Sequence, residues 1–308
     1  MKTYIVTGGA GFIGSHIARL LQSAGNQIII LDNLSTGKEE NIPPGAEFIK
    51  IELGYDDVNK YLKNIDAEAI FHLAGQSSGE ASFLDPWYDF HSHVISTFHL
   101  LEFCKNRNIK RFLYASSMSV YGDPCYLPVD EPHPLQPKTY YAAAKCSAEA
   151  YLKFYQTRGI NTTVFRMFSV YGPGQNLGNK MQGMASIFFS YMLEGIPVIV
   201  KGSKDRFRDF VYIDDVARAW LAALNAPISY GKTYNLSSGT GTTVEILLET
   251  LKESFALKEY PIHFTEGTPG DQHGMVGDIA LIKRDLGWTA DVDLRTGLTN
   301  MVEFEKDH

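Results

Sequence analysis

Tyr141 and Lys145 stand four residues apart in Tyr141-Ala-Ala-Ala-Lys145-Cys-Ser-Ala-Glu149, a helix-like stretch that projects both side chains from one face. An ammonium beside a phenol favours the phenolate, so the pair has the chemistry to take a proton from an alcohol near neutral pH. On an ordinary helix the same spacing is a surface contact worth about 0.2–0.5 kcal/mol. Tyr140 is the rival phenol, but the residue four beyond it is Ala144. Upstream, Leu113-Tyr114-Ala115-Ser116-Ser117 closes an apolar run. At such a strand end Ser117 either hydrogen-bonds a reacting oxygen or caps the next turn.

The elements that must position these groups begin at the N-terminus. Thr3 to Thr7 reads as a strand, Gly8-Gly9-Ala10-Gly11 breaks it, and Phe12 to Gln22 is amphipathic with a helical period. Glycines at 8, 11 and 14 let backbone N–H groups approach a pyrophosphate at a helix N-terminus, although a purely structural glycine turn reads the same way. Ile28 to Leu31 forms a second strand ending at Asp32, 18 residues after Gly14. There a carboxylate accepts hydrogen bonds from an adenosine ribose, or merely opens a turn. Its charge repels a 2′-phosphate, so the dinucleotide expected is NAD rather than NADP. Further apolar runs at Ala69 to His72, Arg111 to Ala115 and Thr163 to Phe165 alternate with helix-like segments. The expected class is therefore α/β, a Rossmann-type doubly wound parallel sheet with a smaller mixed α/β substrate domain. Residues 1–168 make the NAD-binding domain, with a returning segment near 209–240, and residues 169–308 mainly the substrate domain. Between the serine segment and Tyr141 runs a loop, Asp123 to Lys138, with prolines at 124, 128, 132, 134 and 137. A long loop beside a binding site commonly carries function.

Composition narrows the classes. The chain has 308 residues, 44% hydrophobic and 20% charged, too apolar for disorder and large enough for a full core. A net charge of -7 without a basic stripe argues against nucleic acid. No run reaches the eighteen or so apolar residues of a membrane span, so no membrane partner is expected. Cys104, Cys125 and Cys146 form no CxxC pair, and the nine histidines show no metal-ligand spacing. No disulfide framework and no metal are expected. The strand pattern starts at once, so a cytoplasmic location without a signal peptide is the expectation.

Taken in order, Thr7-Gly8-Gly9-Ala10-Gly11-Phe12-Ile13-Gly14, Asp32-Asn33, Phe71-His72-Leu73-Ala74-Gly75-Gln76, Ser116-Ser117-Met118-Ser119-Val120-Tyr121-Gly122, Tyr141-x-x-x-Lys145 and Arg208-Asp209-Phe210-Val211-Tyr212-Ile213-Asp214-Asp215-Val216 resemble the motifs of one family. It is the extended short-chain dehydrogenase/reductase family, in its NAD-dependent nucleotide-sugar epimerase/dehydratase branch, nearest the UDP-glucose 4-epimerase group. The resemblance covers the whole chain. It implies a catalytic Ser117, Tyr141 and Lys145. It also implies a cofactor site of Gly8, Gly11, Phe12, Ile13, Gly14, Asp32, Asn33, Leu73, Ala74, Gly75 and Gln76, together with Tyr141 and Lys145. Ser119, Ser169, Arg208 and Asp271 are the implied substrate contacts, with Arg208 on the phosphates unless it pairs with Asp205 or Asp209. Met275 falls beside the sugar.

The activity so implied is 4-epimerisation of a nucleotide sugar, UDP by default, by a homodimer built on helices around Asp85 to Cys104 and Tyr140 to Arg158. A 4-keto-sugar reductase with the same three residues, and a non-catalytic NAD-binding regulator, are the alternatives. Dehydratases of the branch place Asp-Glu where this chain has Met118-Ser119, and the related decarboxylases keep the Glu. Other departures are Ser169 for a common Asn, Lys201 for an aromatic, His93 for an Asn, and Thr268 for an Arg in Thr268-Pro269-Gly270-Asp271. Lys180, Lys204 or Arg206 is then left to supply the missing phosphate-binding charge.

Overall fold

The computed structural model describes residues 1–63, 65–180, 183–267 and 273–307. Among these, β1 (Thr3–Thr7), β2 (Gln27–Asp32), β3 (Glu47–Lys50), β4 (Ala69–His72), β5 (Arg111–Ser117) and β6 (Asn161–Met167) belong to one sheet. β7 (Ser169–Tyr171), β8 (Val198–Lys201) and β9 (Phe207–Tyr212) follow before the chain returns to that sheet as β10 (Lys232–Leu236). The order is β10-β6-β5-β4-β1-β2-β3 and every pairing is parallel. Strand order reverses between β1 and β4, the point at which a doubly wound sheet opens a crevice beyond its carboxyl ends.

Alternation along each strand feeds two cores. In β1, Tyr4 and Val6 join Ile17, Leu21 and Trp220 on one side, while Ile5 joins Leu100, Leu101 and Leu152 on the other. The covering helices on the first side are α1 (Phe12–Ser23) and, much later in the chain, α7 (Ile213–Leu224); Trp220 lies 5.0 Å from the Phe165 ring. On the second side, α2 (Val58–Tyr61), α3 (Pro86–Phe90), α4 (Ser96–Arg107) and α5 (Tyr140–Gln156) pack on the sheet or on one another. The amphipathic stretch expected as one helix near 85–104 is thus divided: a π-helical turn, His91–Ile95, joins α3 to α4. Thr139 caps α5, its Oγ1 accepting from Ala142 N at 3.0 Å.

The remaining elements surround a third core of Tyr171, Phe188, Phe189, Phe210, Leu247 and Leu298. They are α6 (Met184–Leu193), α8 (Val244–Ser254), β11 (Gly241–Thr243), β12 (Ile262–Thr265), α9 (Ala280–Leu286) and α10 (Leu294–Asp307), with α9 reaching back to β10. Here β11-β9-β7 and β12-β8 make two small sheets. No helix of the described residues is long and apolar enough to cross a membrane.

Candidate active site

The glycine turn is built for close backbone contact. Gly8 has φ +68°, and a Cβ on it would come within 2.8 Å of Ala74 N; one on Gly14 would collide with Gly8 O. Gly11 N donates to Gly8 O at 3.1 Å, and α1 then starts with no side chain capping it. Its first N–H groups and its dipole therefore face the crevice. Thr7 ties the ends of β1 and β4 together: its Oγ1 meets His72 Nδ1 at 2.7 Å and accepts from Leu73 N and Ala74 N at 3.2 and 3.1 Å. Burial pushes His72 down to about 3, so it acts as a neutral bridge. Asp32 ends β2 buried, with Oδ2 accepting from Ala10 N at 3.0 Å and Oδ1 from Leu34 N at 2.8 Å. A carboxylate oxygen has a second lone pair, which leaves Asp32 acceptor capacity for ligand hydroxyls.

A cleft of about 390 Å³ runs from this turn across the carboxyl ends of the strands. Gly8, Gly11, Phe12, Ile13, Gly14, Asp32 and Asn33 line one part; Leu73, Ala74, Gly75 and Gln76 follow from the end of β4. Ser117, Tyr141, Lys145 and Ser169 line the other part. The Cβ-free passage at Gly8 and Gly14, a helix N-terminus beside them and a carboxylate one strand away suit a dinucleotide diphosphate and its ribose.

Lys145 is buried and donates from Nζ to Ala115 O at 2.7 Å, with Nζ 4.8 Å from the Tyr114 ring centroid. Burial pushes its ammonium down to about 7, opposed by the charges of Asp89 and Glu149. Tyr141 corrects an expectation: burial pushes its phenol up to about 12, and the Ser117 hydrogen bond only partly offsets this. The Lys145 ammonium stands 5.7 Å from the Tyr141 ring centroid and spends one donor on a backbone carbonyl, so desolvation outweighs it. Ser117 Oγ accepts from Ser119 N at 3.2 Å and from Ser119 Oγ at 3.0 Å. Its own proton is thereby directed away from Ser119 and toward Tyr141. Ser119 orients Ser117 and does not itself line the cleft.

Other candidates lie further off. Arg208, on β9, turns its Nη1 onto Phe207 O at 2.8 Å and His273 O at 3.4 Å and is not among the cleft-lining residues. Asp209 is committed to Ser238, Gly239 and Gly277. Lys180 pairs with Glu194 and Lys204 with Glu245, while Arg206 donates to Lys201 O and Ser203 O. Met275 is fully buried against Val120, Tyr121 and Phe168. Thr268 and Asp271 lie outside the described residues.

Several groups of cleft residues escaped the sequence reading, among them residues 35–37 after β2, Gln175, Asn176 and Asn179 after β7, and residues 184–186 at the start of α6. Ile51, Glu52, Leu53 and Gly54 follow β3, whose four residues are too short and too polar at their ends to stand out. Ser92, on the π-helical turn, and Ser96, the first residue of α4, also line the cleft, and no residue spacing announces that turn.

Comparison with known proteins agrees with this architecture. Residues 4–237 match the NAD dependent epimerase/dehydratase family. The UDP-glucose 4-epimerase of Mycolicibacterium smegmatis is 32% identical over 99% of this chain and 98% of its own. The UDP-glucuronic acid decarboxylase 6 of Arabidopsis thaliana is 32% identical over 97% of this chain and 87% of its own. Among solved structures, the UDP-glucose 4-epimerase of Thermotoga maritima, crystallised with UDP-glucose, superposes with a TM-score of 0.94 at 34% identity, covering 99% of both chains. This chain belongs to the NAD-dependent epimerase/dehydratase family.

Proposed function

We infer that this protein is an NAD-dependent nucleotide-sugar 4-epimerase acting on a UDP-sugar. The observation that carries the reading is the meeting of Ser117, Tyr141 and Lys145 in one cleft with the glycine turn and Asp32. Gly8, Gly11 and Gly14 would take the diphosphate of NAD, Asp32 its adenosine ribose and Lys145 its nicotinamide ribose. When bound, NAD supplies the acceptor and then the donor of the hydride exchanged with the sugar. Tyr141 takes the proton of the sugar 4-hydroxyl and later returns it, a role worth about 10²–10⁴-fold in rate. Ser117 holds the same oxygen while it changes between hydroxyl and carbonyl. The Ser117 hydrogen bond lowers the phenol from the high value that burial gives it. Because the 4-keto sugar turns its other face before reduction, configuration inverts without net oxidation.

Ser169, Arg208 and Asp271 are assigned to the sugar nucleotide, and Ser119 to that side of the site by way of Ser117. The proposed NAD-binding unit is residues 1–168 with a returning segment near 209–240, and residues 169–308 are mainly the substrate unit. A cytoplasmic location is part of this reading. A homodimer is proposed from the apolar surface of α3, α4 and α5.

Met118 and Ser119 follow Ser117 where elimination of water would need a strong acid and base. A thioether transfers no protons, and a hydroxyl without an adjacent base does not deprotonate carbon. Incubation of the purified protein with UDP-glucose, without added reductant, is expected to give a product of unchanged mass. A product lighter by one water, or turnover only with added NADH or NADPH, would overturn the assignment.

A further inference from the structure

Behind Tyr141 and Lys145 lies a buried acid that the reaction scheme leaves unused. Asp89, on α3, and His93, on the π-helical turn, are both fully buried. Asp89 Oδ1 accepts from Gln76 Nε2 at 3.1 Å and faces His93 Nε2 at 3.8 Å, too far for a hydrogen bond. Asp89 Oδ2 has no hydrogen-bond partner among the described residues. The π-helical turn brings His93 against Gly75, where a Cβ would collide with the imidazole, and sets its ring edge-on to Tyr141 at 5.3 Å.

The titratable groups around this cluster come from four elements: His72 from β4, Tyr114 from β5, Tyr141, Lys145 and Glu149 from α5, and His93 from the turn that follows Asp89. Burial and the Lys145 charge keep both histidines neutral, and burial keeps Tyr114 protonated. Glu149 is already matched by Arg166 at 2.7 Å and by Ser116. Steps of 3.8 Å from Asp89 to His93, 5.3 Å from His93 to Tyr141 and 5.7 Å from Tyr141 to Lys145 connect the acid to the pair, and burial raises Asp89 to about 6 against the opposing charge of Lys145.

We propose that Asp89 is a positioning residue of the epimerase reaction, whose buried charge sets the protonation of the Lys145–Tyr141 pair. The proposal rests on the reading of Tyr141 and Lys145 as the reacting pair. A fixed anion favours the Lys145 ammonium and disfavours the Tyr141 phenolate, so it holds both ionisations at higher pH. Removing its charge lowers both together.

The test is the pH profile of kcat/KM for the holoenzyme. Asp89→Asn keeps the size of the side chain and an acceptor for Gln76; both limbs of the profile are expected to move to lower pH by about one unit. Asp89→Glu restores the charge and is expected to restore the limbs, and His93→Asn leaves them in place. An Asp89→Asn profile with its limbs at the wild-type positions, whatever its height, would overturn the proposal. Should Asp89→Asn not fold, ¹⁵N-lysine spectra of the unmodified holoenzyme decide. The Lys145 signal, assigned by its loss in Lys145→Met, is expected to show two inflections, one for Asp89 and one for itself. A single inflection overturns the proposal. Full activity of Tyr141→Phe would instead overturn the underlying reading of the site.

Discussion

At Tyr141 desolvation and reactivity pull in opposite directions, because the same burial that excludes water keeps the phenol protonated. Tyr141→Phe is expected to lower kcat by roughly 10²–10⁴-fold with NAD still bound. Tyr140 is half exposed and packs edge-on to Phe83 at 5.6 Å, so Tyr140→Phe should be mild; comparable losses in both would mean that neither is the proton carrier. Lys145 gives a second readout, through stability. Its folded value is about 7 against an ordinary 10.5. Between these the unfolded chain holds a proton that the folded chain lacks, so stability rises with pH across that window. Wild-type Tm should therefore gain on that of Lys145→Met from pH 7 to pH 10, whereas parallel curves would show that Lys145 keeps its proton in the fold. The residue types and the spacing of this pair are legible in the sequence; the direction of the Tyr141 shift is not. Spacing reveals a neighbouring charge, but burial is set by β4, β5 and the π-helical turn, all distant in sequence.

At the scale of elements, the glycine turn is the most legible feature, since its constraint is local. A Cβ on Gly14 would collide with Gly8 O and come within 2.9 Å of Gly9 Cα, whereas one on Gly11 would lie 3.2 Å from Gly8 O. Gly14→Ala is expected to cost about 1–3 kcal/mol and to release NAD during purification; Gly11→Ala should lower Tm less. A reversed order of Tm would mean that the turn relaxes around Gly14. Strands β1, β2, β4, β5 and β6 read clearly as apolar runs because parallel strands are covered on both faces. Edge strand β3 does not, having only Phe48 and Ile49 between Glu47 and Lys50. The residues that follow it in the cleft were missed for the same reason. The break in the helix near 85–104 was equally hidden, since a π-helical turn adds one residue without a glycine or proline to mark it.

Exposed apolar side chains of the whole molecule are concentrated on α3, α4 and α5 and on the turn before α3. Phe83, Leu84, Trp87, Phe90, Phe98, Tyr151 and Phe154 are all exposed, and Trp87 is 71% exposed. The helices that carry them pack on one another, α5 against both α3 and α4, and ring contacts pair Trp87 with Phe90 at 6.1 Å, Phe98 with Tyr151 at 5.8 Å across α4 and α5, and Phe83 with Tyr140 at 5.6 Å. Apolar patches of this kind on a folded chain mark association sites. A second copy is the occupant that such a patch satisfies most simply, because a two-fold axis sets the same helices against themselves. Light scattering at micromolar concentration is expected to give the mass of two chains. The axis also doubles every substitution, so Trp87→Asp combined with Phe154→Asp would place four carboxylates in one apolar contact. Desolvating even one such charge costs about 2–5 kcal/mol, enough to weaken association by about 30-fold or more. A wild-type monomer would remove the dimer, and a dimer unmoved by both substitutions would assign it to another face. The expected result is a monomeric variant at the concentration where wild type is dimeric, with the glycine turn and its NAD retained, since both substituted side chains lie outside the cleft lining.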